Sequence, residues 1–329
     1  MCFVINKNMI DSNLIISDDG KTLCGIRDPK TTTVSIPNTI TCIGKRAFNE
    51  CALSLISVDI PNSVTSIEDF AFIRCISLQS ITIPNSVKKI GCYTFSQCNS
   101  LQTINIPRSV TTIVFNPFDC CSSLSSITVD SQNCNYESVD GVLFEKGKKK
   151  IVAAPSGKNI RSFCIPDSVT CIGEDSFRGC EKLLSVNIPK TVTSIGNGAF
   201  SDCYSLLSVD IPESVTTIEG GTFYACHSLQ RVSIPNSVTS IGRNPFHLCG
   251  FNSITIPESV KSIGDYAFLH CESLKAIHIR IKNPNILKIG ISIFSIEAED
   301  SCVLFVPSDS LREYRNHPIF SKFRNIEIE

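Results

Sequence analysis

Cysteine offers the most chemistry in this sequence, because a thiolate can attack an electrophile, bind zinc or pair as a disulfide. Eighteen cysteines occur in 329 residues, and nine of them keep one phase: Cys51, Cys75, Cys98, Cys121, Cys180, Cys203, Cys226, Cys249 and Cys271. Cys226-His227 and His270-Cys271 are adjacent pairs, and His247 lies two residues before Cys249. A Cys–His nucleophile needs a cleft and an orienting third group, and sequence neighbours in a turn point different ways. Structural zinc needs ligand pairs at compact spacing such as Cys-x-x-Cys, which does not occur here. Side chains on neighbouring rungs of a stack stay about 4.8 Å apart, whereas a disulfide needs Cβ atoms about 3.8 Å apart. The nine are therefore expected to be buried free thiols packed as small apolar groups. The irregular Cys24, Cys42, Cys92, Cys120, Cys134, Cys164, Cys171 and Cys302 are the better candidates for a bridge. No Gly-x-Ser-x-Gly elbow, His-Glu-x-x-His pair or phosphate-cradling glycine loop appears, so neither an enzyme nor a metal or cofactor is expected. The cluster Lys146, Lys148, Lys149 and Lys150 reads as a solvated hairpin tip.

What positions these cysteines is a repeat. Prolines stand at 37, 61, 84, 107, 166, 189, 212, 235 and 257, almost all 22 to 24 residues apart. Each follows an Ile, with a β-branched or aromatic residue two earlier, as in Val58-Asp59-Ile60-Pro61 and Val209-Asp210-Ile211-Pro212. That alternation marks a short strand with one buried face. Three residues after Pro comes Ile or Val, and six after comes Ile, usually followed by Gly, as at Gly44, Gly91, Gly173, Gly196, Gly242 and Gly264. These glycines are expected to supply a turn with positive φ. Eleven after Pro is always Phe: Phe48, Phe72, Phe95, Phe118, Phe177, Phe200, Phe223, Phe246 and Phe268. Fourteen after is the cysteine, and a Leu such as Leu78 leads into the next strand.

A unit of about 23 residues cannot bury its apolar side chains alone, so identical units must stack as a solenoid. The strand Leu78 to Ile83 and its equivalents then build a parallel sheet, with Pro at its end for want of an N–H. The Ala-Phe-x-x-Cys piece, as in Ala71 to Cys75, is expected to form one helical or 3₁₀ turn on the opposite side.

The unit Ile-Pro-Asn-Ser-Val-Thr-Ser-Ile-Gly-x-x-Ala-Phe-x-x-Cys-x-Ser-Leu, read with small variations from Ile234 through Leu274, resembles the BspA-type leucine-rich repeat. The resemblance implies a right-handed superhelix of the α/β repeat type, with about eleven 23-residue coils, one parallel sheet and short turns or 3₁₀ pieces opposite. The segment from Tyr136 to Pro155 resembles the family's inserted hairpin. Leu14 to Leu23, with an Asp19-Gly20 turn, resembles a second copy that caps the first coil. Val303 to Tyr314 and Phe320 to Phe323 resemble its closing strand and helix, where Ser310 and Glu313 have capping-box spacing. The expected division is an N-terminal cap over 1–36, repeats over 37–130, an inserted unit over 131–165, repeats over 166–279, and a degenerate repeat with a C-terminal cap over 280–329.

Composition narrows the function. With 42% hydrophobic and 19% charged residues the chain folds around a core. Lys plus Arg number 30 against Asp plus Glu 31, a net charge of −1 that disfavours nucleic acid as a partner. No apolar run reaches the roughly 18 residues of a membrane span. What remains is a surface: the outward strand positions Ser57, Asp59, Ser80, Thr82, Thr103, Asn105, Ser126, Thr128, Ser185, Asn187, Ser208, Asp210, Arg231, Ser233, Ser253, Thr255 and His278. Repeat proteins bind along such faces. The resemblance implies a surface antigen that attaches to host matrix or cell-surface proteins. Met1 to Ile10 does not read as a secretory signal, which keeps an intracellular scaffold with a cytosolic protein partner as the alternative.

Overall fold

The computed structural model describes residues 12–329, so the segment Met1 to Ile10 and Cys2 lie outside the described residues. The chain forms two compact units, one of residues 12–146 with Pro155–Lys158, the other of residues 147–154 with residues 159–329. Each is a solenoid, and together they contain about 13 turns of about 23 residues. Nine of these turns carry the full Pro, Phe and Cys motif; the terminal and inserted segments, which lack it, add the rest and exceed the roughly eleven expected.

Every regular coil crosses the core with the same side chains, and like stacks on like. In the first unit Phe48, Phe72, Phe95 and Phe118 stack face to face, with ring centroids 4.4, 5.2 and 5.7 Å apart. In the second, Phe177, Phe200, Phe223, Phe246 and Phe268 continue the pattern at 5.2 to 5.6 Å, and Phe294 extends it by one ring. All these rings are buried. Burial of each contributes about 1.5–3 kcal/mol, before the geometry of the aromatic pairs adds its part.

Two strand ladders run along each unit where one was expected. The wider strand, with the Val-x-Ile alternation, pairs in parallel: Thr33–Ser35 with Ser57–Asp59, and Thr103–Ile106 with Ser126–Val129, in the first unit. In the second, Ser162–Cys164, Ser185–Asn187, Ser208–Asp210 and Arg231–Ser233 form one sheet, and Ser253–Ile256, Ala276–Ile279, Val303–Val306 and Asn325–Ile328 another. The narrower strand is only two residues long and centres on the Ile six after Pro, with Ile43, Ile67, Ile90 and Ile113 in register. Two residues are too few to show period-two alternation, so the sequence hides this second ladder.

The expected single sheet is thus divided, and in the first unit it is also interrupted. Leu78 to Ile83 follows the strand's path, yet residues 79–84 form no ladder with either neighbour. A second sign of separation lies just beyond. Ser63, Ser109, Ser214, Ser237 and Ser259 each donate a hydroxyl hydrogen bond to a carbonyl of the preceding coil, at 2.5 to 2.7 Å. The equivalent hydroxyl of Ser86 is buried without a partner. The wide-strand edge of this coil is thus unpaired, although its narrow strand and its turn stay bonded to the coil before it.

The glycine after the narrow strand works differently from the expectation. None of Gly44, Gly91, Gly173, Gly196, Gly242 and Gly264 has positive φ. They are required because a Cβ would strike the backbone of the preceding coil: at Gly196 it would lie 2.6 Å from the Glu174 nitrogen, and at Gly44 2.8 Å from the Leu23 oxygen. The left-handed residues come nine and thirteen after Pro, as at Phe70 and Arg74, Tyr93 and Gln97, or Asn244 and Leu248. The Ala-Phe-x-x-Cys segment is accordingly neither helix nor 3₁₀ turn. Its alternating left- and right-handed residues aim every second N–H at the next coil: Phe70 to the Cys92 oxygen at 3.0 Å, Phe72 to Thr94 at 2.8 Å, and Arg74 to Ser96 at 2.8 Å.

The ends are closed by other means. Leu14–Ile16 pairs antiparallel with Thr22–Ile26 around Gly20 (φ +69°), and Leu23 pairs with Ile43 to start the narrow ladder. The hairpin Tyr136–Val139 with Val142–Glu145 turns through Asp140 and Gly141, both left-handed, as a type I′ turn demands. Two short helices close the C-terminus, α1 (Ile296–Ser301) and α2 (Leu311–Asn316). Tyr314 in α2 is buried and donates its hydroxyl to the Ile281 oxygen at 2.8 Å. The capping box expected at Ser310 does not form, since a 3₁₀ turn over Ser308–Ser310 runs straight into α2 and buries the serine. The capped helix is α1, where Ser295 accepts from the Ala298 N–H at 3.3 Å.

Candidate functional site

The cysteines that could do chemistry are spent on holding coils together. Cys98, Cys121, Cys203, Cys226, Cys249 and Cys271 each direct their thiol at the carbonyl of the core Phe one coil earlier, at 3.0 to 3.2 Å. The Phe223 oxygen, for example, accepts the Cys226 N–H at 3.2 Å and the Cys249 thiol at 3.1 Å. Cysteine suits this site because a small apolar group with a weak donor fills the turn and also satisfies the second lone pair of that carbonyl. Cys302, outside the series, makes a comparable contact: it is buried, with its thiol 3.0 Å from the Leu274 oxygen instead of a Phe carbonyl. Burial, which penalises the thiolate, pushes Cys121, Cys180 and Cys271 up to about 12.

Every cysteine among the described residues is free, including the irregular ones considered for bridges, and no three potential ligands cluster as a metal site among them. The Cys226–His227 pair is divided between two tasks, because the thiol meets the Phe200 oxygen while His227 Nδ1 lies 3.0 Å from the Leu248 oxygen. His247 stacks on Tyr224 and meets His270 edge to face. Burial and the neighbouring His270 hold the imidazole of His247 below its usual range.

A prediction follows from this arrangement. Alkylation of the native protein near pH 8 should label Cys24, Cys134 and Cys164, which are exposed, and spare the ladder until denaturant is added. Peptide mass spectrometry reads the sites, and prompt labelling of Cys203 or Cys226 would refute the assignment. Because the folded pKa lies above the usual 9.0, the ladder's contribution to stability is complete below about pH 9. It falls as pH rises from there toward 12.

The outward strand positions form rows, and each unit carries its own. In the second unit one row runs Ser162, Ser185, Ser208, Arg231 and another Cys164, Asn187, Asp210, Ser233. Of these, Ser185 and Ser208 are half-buried and the rest exposed. Arg231 and Asp210 form an ion pair at 3.4 Å, with both side chains about two-thirds exposed, worth at most about 1 kcal/mol. The adjoining sheet adds Ser253 and Thr255. His278 is covered on one side, since Phe305 stacks on its ring at 4.7 Å and Glu329 lies 3.4 Å from Nδ1, and its side chain stays 27% exposed.

In the first unit Ser57, Asp59, Ser80, Thr82, Thr103, Asn105 and Thr128 are exposed, with Ser126 half-buried. A shallow depression bounded by Thr33, Ser35, Ser57, Asp59 and Thr82 lies beside the unpaired wide-strand segment. Thr33, Ser35, Ser162 and Cys164 belong to these rows and were missed. They hold the same phase before Pro37 and Pro166, which is the signal that would have found them. Lys146 and Lys149 of the basic cluster are exposed near a turn in which Gly147 and Lys148 have positive φ.

A family model described as the BspA type leucine rich repeat region matches residues 27–147 and 154–275, in six copies. Among solved structures, the pneumococcal vaccine antigen PcpA is similar with a TM-score of 0.74 and 24% identity, covering 96% of this chain and 82% of that one. A leucine-rich repeat protein from Eubacterium ventriosum follows with a TM-score of 0.57 and 20% identity, covering 94% and 87%. At these identities the likeness is one of fold. No curated protein matches.

Proposed function

The chain belongs to the BspA-type leucine-rich repeat family, and from that premise we propose that it is a non-enzymatic protein-interaction module, a surface antigen or adhesin that binds host matrix or cell-surface proteins. The observation that supports this reading is the pair of in-register rows around Ser208 and Asp210, short polar side chains displayed at the strand spacing on a rigid sheet. Such a face lets a partner lie close to the backbone over several coils at once, and its rigidity lowers the ordering cost of binding. Ser57, Asp59, Ser80, Thr82, Thr103 and Asn105 on the first unit, and Ser185, Asn187, Ser208, Asp210, Arg231, Ser233, Thr255 and His278 on the second, are the proposed contacts. The likeness to a vaccine antigen agrees with a surface role.

Immobilised matrix and cell-surface proteins should bind the purified protein saturably. Ser208→Arg, which places a long charged side chain in the middle of the row, should weaken that binding about tenfold while leaving thermal melting unchanged. An equal affinity for parent and variant would remove the sheet face from the reading. Saturable binding confined to cytosolic proteins would replace the adhesin with the intracellular scaffold.

A further inference from the structure

Among the wide strands of the described residues, only the segment at 79–84 lacks a partner on both edges. The second unit has one break in its wide ladder, between Arg231–Ser233 and Ser253–Ile256, but each of these strands stays paired on its other side. In regular coils the residue leading into the wide strand donates its N–H to its counterpart one coil earlier: Leu184 to Arg161 at 2.8 Å, Leu207 to Leu184 at 3.0 Å, and Gln230 to Leu207 at 2.9 Å. Gln79 and Gln102 hold this position in the unpaired coil and the one after it, and neither makes the bond.

The rest of this coil is fixed. Its narrow strand, Lys89–Ile90, pairs with Ser66–Ile67 before it and Thr112–Ile113 after it. Phe95 is stacked between Phe72 at 5.2 Å and Phe118 at 5.7 Å, and Ile81 and Ile83 stay buried. With the core closed, the freedom left to the coil is a small rotation of its wide edge about the narrow ladder.

Two features favour closing that edge. The serine hydroxyls of neighbouring coils donate to the carbonyl three residues after the preceding Pro, at Ile40, Val87, Val192, Val215 and Val238. By the same register Ser86 would donate to Val64, yet its hydroxyl is buried and unpaired. Bringing the wide strands into register makes that bond and removes a desolvated orphan. Closure also pairs backbone groups of residues 79–83, which make no hydrogen bond within the protein in the unpaired arrangement. The closed arrangement is the one that regular coils already display.

We propose that the coil at Pro84 is a hinge: its wide strand moves between the unpaired arrangement and a ladder with Ser57–Asp59, turning about the narrow strands and changing the tilt of Ser80 and Thr82 against Ser57 and Asp59. These four side chains are among the contacts proposed for the sheet face, so the hinge adjusts the curvature that a partner meets. The motion itself does not depend on there being such a partner.

Hydrogen exchange of the full chain, followed by mass spectrometry, is the test. Amides of residues 79–83 should exchange about tenfold or more faster than those of 208–210, whose strand is paired on both sides. Ser80 and Asp59 hold the positions of Arg231 and Asp210, which form an ion pair between neighbouring coils at 3.4 Å. Ser80→Arg supplies the missing cation and should slow exchange at 79–83 about threefold by favouring closure. Adding Ser86→Ala to that variant should restore the parental rate, because closure then gains no bond at Val64. A change of local charge alone would not be reversed in this way. Ser80 is exposed and Ser86→Ala removes an unpaired hydroxyl, so both variants keep the fold. Protection of 79–83 equal to that of 208–210, parental exchange in Ser80→Arg, or slowing that survives Ser86→Ala overturns the hinge.

Discussion

Phe200→Ala is expected to lower the free energy of unfolding by about 3–5 kcal/mol. The ring is fully buried between Phe177 at 5.2 Å and Phe223 at 5.6 Å, with planes 14° and 4° from parallel. Removing it opens a void that neither neighbour can fill, because each is fixed by its own coil's Cys turn. The backbone carbonyl of residue 200 still accepts the Cys226 thiol, so the loss isolates packing from hydrogen bonding. With total stability on the order of 5–15 kcal/mol, the variant loses a large share of it. Denaturant unfolding followed by circular dichroism measures the difference. Phe115→Ala is the comparison, since that ring is half exposed and its loss should stay within about 0.5 kcal/mol. Equal midpoints for parent and Phe200→Ala would show that the phenylalanine column does not carry the core.

The second large effect belongs to a single methyl group. Gly196→Ala should destabilise by about 3 kcal/mol, because the new Cβ would lie 2.6 Å from the Glu174 nitrogen and 2.9 Å from its Cα. Those atoms are backbone of the preceding coil, tied in turn to the next one, so relief requires coils to part. Gly20→Ala separates this cause from backbone strain: Gly20 has φ +69° and nothing within 4 Å, so alanine there costs about 1 kcal/mol. If the two variants melt alike, close approach is not the reason for glycine after the narrow strand.

The parts of the fold that were legible in the sequence are those in which one residue type answers one demand. Phe at every eleventh position after Pro can only be core, and its column is where the periodicity placed it. Glycine answers two demands, freedom at positive φ and absence of a Cβ, and the sequence does not distinguish them. Gly44 and Gly196 were therefore read for the wrong reason. The left-handed positions proved to be occupied by Phe70 and Tyr93, which no propensity rule would place there, as well as by Asn244, a residue that tolerates them. They are tolerated because inter-coil hydrogen bonds on both sides over-determine the backbone. The unpaired segment at residues 79–84 is equally invisible, since Leu78, Ile81 and Ile83 match their equivalents and only the hydrogen bonds differ. Of the candidate surface, the rows could be traced from phase alone. The coverage of His278 by Phe305 could not, because a cap outside the repeat supplies it.

In the Phe-x-x-Cys segment the backbone N–H groups reach forward to carbonyls of the next coil, while the cysteine thiols reach back to carbonyls of the coil before. Each coil therefore presents the same docking pattern fore and aft. A gene encoding such a chain can lengthen or shorten by unequal recombination in steps of one whole repeat, and every junction so created is already compatible. A step of any other size would offset the donors from the acceptors and bring a Cβ into the glycine contact. Copy number is thus free to drift among descendants while repeat length is held within 22 to 24 residues.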